Sequence, residues 1–254
     1  MFGSGGRLAG KRALMTGAGG LLGGDLARGF AAEGADLVLT TRTKAKLAPL
    51  AEEIRGVGGR AEAVACDFTD DAAIDHLAEA AWAAFGGIDV VLLSSQPPDC
   101  NLGEIFLCPD DVFKQQMQAI VWGPLRLMRS LAPRMIESGG GSVITVISST
   151  GFDPVAGYGA YGIAKGALWT LTRYMAAEWG KGGIRANAFT PGLVATGGNA
   201  AGLTEAAKAN GMLARTSLGR VGLNAECLGI AVHLASDESS FTSGQRIHVD
   251  GGRF

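Results

Sequence analysis

Two kinds of segment are missing from this 254-residue sequence. No apolar run approaches the roughly 18 residues that a membrane-spanning helix needs, so no span is expected. No basic stripe or tail occurs either: the longest basic concentration, Arg42 to Lys46, is loop-sized, and the formal net charge is −2. Binding to a phosphate backbone requires clustered Lys and Arg, so a nucleic-acid partner is not expected. Charged residues make up only 18% of the chain, below the usual quarter or so.

Cysteine is sparse and unpatterned. Cys66, Cys100, Cys108 and Cys227 form no Cys-x-x-Cys pair, and no histidine stands beside them at metal-ligand spacing. No metal site is expected, and the thiols read as reduced cysteines of a cytoplasmic protein. His76, His233 and His248 show no catalytic spacing. The opening Met-Phe-Gly-Ser-Gly-Gly-Arg lacks the apolar centre of a signal peptide; residues 1–10 read as a flexible leader. Linkers and internal repeats are also missing, so residues 1–254 read as one domain.

What the chain does contain is alternation. Strands are expected at 12–16, 36–41, 61–66, 89–94, 142–147, 184–189 and 245–249. Helices are expected at 22–33, 43–56, 71–85, 110–137, 158–179 and 225–235. Pro124 and Pro133 should kink or divide the helix at 110–137. Strands that are near-continuous apolar runs, separated by helices of ten or more residues, imply βαβ units and a parallel sheet covered on both faces. The fold class that follows is α/β, a single Rossmann-type doubly wound domain.

The first strand ends in Thr16-Gly17-Ala-Gly-Gly20-Leu21-Leu22-Gly23 and a helix follows. A helix N-terminus presents unpaired N–H groups and positive potential, which suits a phosphate. The G-x-G-x-x-G register fails at Leu22, whereas G-x-x-G-x-x-G fits Gly17, Gly20 and Gly23. Gly17, Gly20 and Leu22 are therefore candidate cofactor contacts. The second strand ends Thr40-Thr41-Arg42 with no acid to grip a ribose hydroxyl; Asp36 comes too early. Arg42 instead suits a 2′-phosphate, which favours NADP over NAD; the alternative is a solvated surface arginine. Asp67, closing the third strand, either caps a turn or contacts the adenine.

The candidate chemistry lies at Tyr161-Gly-Ile-Ala-Lys165, with Ser148 thirteen residues before the tyrosine. On a helix, positions four apart share a face. An ammonium beside a phenol favours the phenolate, moving the tyrosine toward proton exchange with an alcohol or carbonyl.

Taken together, these motifs resemble the short-chain dehydrogenase/reductase family over nearly the whole chain. Ile184-Arg-Ala-Asn187, Pro191-Gly192-Leu-Val-Ala-Thr196, Gly219-Arg220-Val-Gly222 and Val249-Asp250-Gly251-Gly252 extend the match. The resemblance implies a seven-stranded sheet, a nicotinamide cofactor and ketone/secondary-alcohol chemistry, by default 3-oxoacyl reduction. It implies Tyr161 as general acid/base and Lys165 as ribose ligand and depressor of the tyrosine's pKa. Ser148 would hold the substrate oxygen, with Ser149 as runner-up. Pro191 would turn the chain so that Val194 and Thr196 meet the carboxamide and phosphates. Residues 197–217 would form a substrate lid. A homotetramer is implied, with helices 110–137 and 158–180 as interface.

The chain departs from the family pattern in three places. Leu21 replaces a glycine, Leu93-Ser94-Ser95-Gln96 replaces Asn-Asn-Ala-Gly, and Ile120 stands where a relay asparagine belongs. These departures motivate the alternative of a cofactor-binding but non-catalytic member. A relative that abandoned the nicotinamide, like the halohydrin dehalogenases, is opposed by Lys165 and the remaining glycines. Gln96, Pro97, Phe106, Phe152 and Leu193 are candidate pocket neighbours.

Overall fold

The central strands are apolar because both their faces are covered. In a computed structural model describing residues 6–97, 99, 103–195 and 199–253, β1 (Arg12–Thr16), β2 (Asp36–Thr41), β3 (Ala61–Ala65), β4 (Val90–Leu93), β5 (Gly141–Val146), β6 (Ile184–Pro191) and β9 (Arg246–Val249) form one sheet. Its order is β3-β2-β1-β4-β5-β6-β9, and every pairing is parallel. Two short strands, β7 (Val194–Ala195) and β8 (Gly222–Leu223), pair separately. The order reverses between β1 and β4, which places a crevice at the carboxyl ends of those strands.

Alternate strand residues face opposite layers. Ala13, Met15, Leu37, Leu39, Ile144 and Val146 pack on one side against Leu26 and Phe30 of α1 (Leu21–Ala32) and Leu47 and Ile54 of α2 (Lys44–Gly56). Ala231 and Val232 of α8 (Ala225–Ala235) complete that layer. Leu14, Val38, Val91, Leu93 and Val143 face the other side. There they meet Ile74 and Leu77 of α3 (Asp71–Phe85), Leu127 and Leu131 of α5 (Gly123–Glu137) and Met175 of α6 (Gly159–Trp179). The sheet's amino end is pinned by Arg12, which donates two guanidinium bonds and its backbone N–H to Asp89 at 2.8 Å each. Burial raises the Asp89 carboxyl, but the bonds from Arg12 outweigh it and hold it below the usual range.

Two expectations need correction. The segment 110–137 is not one helix kinked at its prolines. α4 (Asp110–Met117) passes into a π-turn at Gln118–Trp122 and only then into α5. Pro124 sits in the first turn of α5, directly after the π-turn, and Pro133 is carried inside the helix without dividing it. Residues 6–10 are not loose: Leu8 is fully buried, and Arg7 grips Glu33 through its side chain and its backbone N–H. The 197–217 segment contains a helix, α7 (Ala200–Ala209), that its small, polar composition did not announce.

Candidate active site

The glycine turn is built by close contacts that a side chain would prevent. Gly17 has φ +71°, and a Cβ there would lie 2.7 Å from the Ser94 carbonyl oxygen. A Cβ on Gly23 would lie 2.2 Å from the Gly17 oxygen, and one on Gly19 2.7 Å from Thr41 Cγ2. The turn thus packs simultaneously against β4's exit, its own helix and the end of β2. Gly20 is the N-cap of α1; no side chain caps the helix, and its first turn holds no acid. Those N–H groups need an acceptor. Leu21 stands on the wall of the cleft at 58% exposure, so its side chain leaves the turn on the solvent side.

A cleft of about 510 Å³ opens at the carboxyl ends of the central strands. Its walls carry Gly17, Gly20, Leu22, Arg42, Ser148, Tyr161, Lys165, Pro191 and Val194. Asp67 lines an adjoining lobe that shares Gly17, Thr41, Arg42, Gln96 and Pro97 with it. Asp67 also caps a turn, accepting from Thr69 N at 2.9 Å and Thr69 Oγ1 at 2.8 Å. Both readings of that residue therefore have a structural counterpart. Thr196 lies outside the described residues.

α6 carries the tyrosine and lysine on one face, as their spacing requires. The Lys165 side chain is 1% exposed; Nζ donates to the Val146 carbonyl at 2.8 Å and stands 5.6 Å from the Tyr161 ring centre. The Tyr161 ring packs in a cluster with Ile120, Ile147, Ala164 and Leu168. Its hydroxyl donates to Gln96 Oε1 at 3.3 Å.

Ser148 follows β5 closely. Its Oγ accepts from Thr150 N at 3.3 Å and Thr150 Oγ1 at 2.9 Å. Both bonds use its lone pairs, so its own O–H is left to point elsewhere. Ser149 is turned away from the cleft, 8% exposed and bonded to Arg253 at 3.3 Å. The structure thus brings Ser148, rather than Ser149, together with Tyr161 and Lys165.

Two basic groups line the cleft together with the glycine turn. Arg42 and Lys46 both line the cleft, and neither has an ion pair among the described residues. Lys46 was missed in the sequence because a lysine on a polar helix face carries no special pattern. Asp36 is out of reach, bound to Arg60 at 2.7 Å at the start of β2. An uncapped helix end, a glycine turn and two uncommitted cations fit an anionic dinucleotide.

Ile120 is fully buried within the π-turn. Its side chain makes no hydrogen bond, but the backbone there is altered. Pro124 has no N–H, so Ile120's carbonyl lacks its ordinary helical donor four residues on. Among the other expected neighbours, Pro97 lines the cleft, Phe152 packs on the Tyr161 cluster, and Phe106 is 94% exposed on a turn outside the cleft. Leu193 lies beside Val194 in a separate pocket.

A family model described as enoyl-(acyl carrier protein) reductase matches residues 18–253. An uncharacterized oxidoreductase of Bacillus subtilis, YxbG, is 33% identical over 255 residues, covering 97% of this chain and 92% of its own. A gluconate 5-dehydrogenase from Burkholderia cenocepacia, solved with NADP and tartrate, superposes with a TM-score of 0.89 at 33% identity over 97% of this chain and 96% of that one. A 7α-hydroxysteroid dehydrogenase, solved with NADH and 7-oxo glycochenodeoxycholic acid, gives 0.88 at 29% identity over 100% and 98%.

Proposed function

The chain belongs to the short-chain dehydrogenase/reductase family, oxidoreductases acting on CH–OH groups, and from that premise we propose that it is an NADP(H)-dependent enzyme interconverting a ketone and a secondary alcohol. The observation that carries this reading is one cleft lined by Ser148, Tyr161 and Lys165 and also by Arg42 and the glycine turn. When bound, the nicotinamide supplies or accepts the hydride at the substrate carbon. In the reducing direction Tyr161 gives its proton to the substrate oxygen, and Ser148, with an uncommitted O–H, holds that oxygen. Lys165 stabilises the phenolate left behind and binds the nicotinamide ribose. Val194 and Pro191 form the wall that receives the carboxamide side, and residues 197–217 close over the substrate.

The test is NADPH oxidation across a panel of ketones that includes 3-oxoacyl thioesters, sugar-acid ketones and oxosteroids. Turnover of at least one class is expected. NADPH binding with no turnover on any of them would instead support a non-catalytic, cofactor-binding member.

The preference for NADP rests on Arg42, whose guanidinium has no competing acid at the end of β2. A charge-assisted bond to a 2′-phosphate contributes about 1.5–3 kcal/mol. Arg42→Ala should therefore raise the NADPH dissociation constant roughly 10- to 100-fold and leave NADH binding nearly unchanged. Equal losses for the two cofactors, read by fluorescence titration, would remove Arg42 from the phosphate site.

The same reading includes a homo-oligomer, a tetramer in cytoplasmic solution. It is supported by Ile163 and Tyr174, apolar residues on α6 that remain 49% and 60% exposed. Sedimentation equilibrium should give a multiple of 26.0 kDa; a monomer at micromolar concentration would exclude it.

A further inference from the structure

We propose that Gln96 is a positioning residue for Tyr161, its amide accepting from the phenol in the resting site and, once rotated, donating to the phenolate that forms on proton transfer. The proposal rests on the function argued above for Tyr161, but its decisive measurement does not.

The position of Gln96 is set by the glycine turn. Thr16 Oγ1, fully buried, accepts the backbone N–H groups of Ser94 at 2.9 Å and Ser95 at 3.1 Å. Gly17 packs against the Ser94 carbonyl so closely that no Cβ fits between them. The chain leaving β4 is thereby held against the chain leaving β1, and the next residue is Gln96. Gln96 lines both lobes of the cleft, and its Oε1 meets Tyr161 Oη at 3.3 Å.

An amide suits this place because it can be either partner. Oε1 is an acceptor only, Nε2 a donor only, and rotation about the terminal torsion exchanges them. While Tyr161 is a phenol, its O–H donates to Oε1. When that proton passes to the substrate oxygen, the O–H bond of Tyr161 breaks and a new O–H bond forms on the substrate. The tyrosine oxygen, now anionic, accepts from Nε2, and a proton from solvent restores the phenol. Methylene or glycine at position 96 offers neither bond.

The sign of the effect follows from relative strengths. Hydrogen bonds to a charged partner are about twice as strong as neutral ones, so Gln96 favours the phenolate on balance. Removing it should raise the tyrosine's midpoint by about one pH unit. Placing a carboxylate there should raise it further, since like charge opposes the phenolate.

The experiment is an ultraviolet difference titration of tyrosinate in the apo protein. The chain has three tyrosines, so the Tyr161→Phe protein is subtracted to isolate residue 161. The native protein is compared with Gln96→Leu and the near-isosteric Gln96→Glu. Gln96 is exposed, so neither change disturbs the core, and thermal unfolding of each variant verifies this. The expected order of midpoints is native, then Leu, then Glu. With an accepted ketone, kcat should fall roughly tenfold in Gln96→Leu, its pH profile should move upward by the same unit, and KM should hold. Identical midpoints in all three proteins, or a lower one in Gln96→Leu, would overturn the proposal. Shifted midpoints without ketone turnover would keep the Gln96–Tyr161 coupling and sink the catalytic reading instead.

Discussion

Tyr161→Phe should abolish most ketone reduction while leaving the protein folded and able to bind NADPH. The substitution removes one oxygen and leaves the ring in its cluster with Ile120, Ile147, Ala164 and Leu168. No cavity forms, so the stability cost is that of the hydroxyl's hydrogen bonding, the bond to Gln96 at 3.3 Å included, at about 1 kcal/mol per bond. The catalytic cost is of another size. General acid catalysis contributes about 10²- to 10⁴-fold, and a phenylalanine has no proton to give. We expect kcat to fall roughly 10³-fold, with the NADPH dissociation constant within about twofold of native, because the glycine turn and Arg42 are untouched. Equal turnover by the variant would remove Tyr161 from the acid/base role and return the proton transfer to another group in the cleft.

Much of this site was legible because its parts obey local rules. Strands covered on both faces are continuous apolar runs, so β1 and β2 have the bounds their patterns suggested, and α3 has the bounds its helical spacing suggested. A tyrosine and a lysine four apart on a helix must share a face, and they do. The glycine register G-x-x-G-x-x-G also has its physical reason, since Gly17 and Gly23 meet where a single Cβ would collide.

What was not legible depended on contacts or on backbone detail below the resolution of periodicity. The apolar pattern from 110 to 137 is continuous across the π-turn, because one extra residue in a helix shifts the face by only part of a turn. Pro124 was visible, but a proline in a first helical turn and one in a helix interior look alike until the helix start is known. α7 was missed because Gly202 within Ala200–Ala209 and the glycines around it marked the segment as loop, glycine being disfavoured in a helix by propensity alone. Leu8, a lone leucine among glycines, gave no sign that it closes the core beside Glu33. Gln96 was visible as a departure from the family pattern. Only the three-dimensional arrangement, however, shows that the altered segment aims an amide at the tyrosine.

Lys165→Met should separate function from stability in the opposite directions that a buried charge implies. Lys165 is 1% exposed, and an ammonium taken from water to such a site costs several kcal/mol before its partners compensate. Methionine has similar length and no charge to desolvate. The variant forfeits the hydrogen bonds of Nζ, that to the Val146 carbonyl among them, which costs about 1–3 kcal/mol for an oxygen left without another donor. The relief of desolvation is at least comparable. We therefore expect a melting temperature no lower than native. Activity should collapse, because Tyr161 loses the cation 5.6 Å from its ring and with it the main source of phenolate stabilisation. We expect kcat to fall by about 10²-fold or more, the pH optimum to move upward, and NADPH to bind more weakly through loss of the proposed ribose contact. A fall of several degrees in melting temperature with turnover retained would identify Lys165 as a structural prop for β5. A stable, cofactor-binding but inactive variant would show a charge kept at a cost in stability for the chemistry it enables.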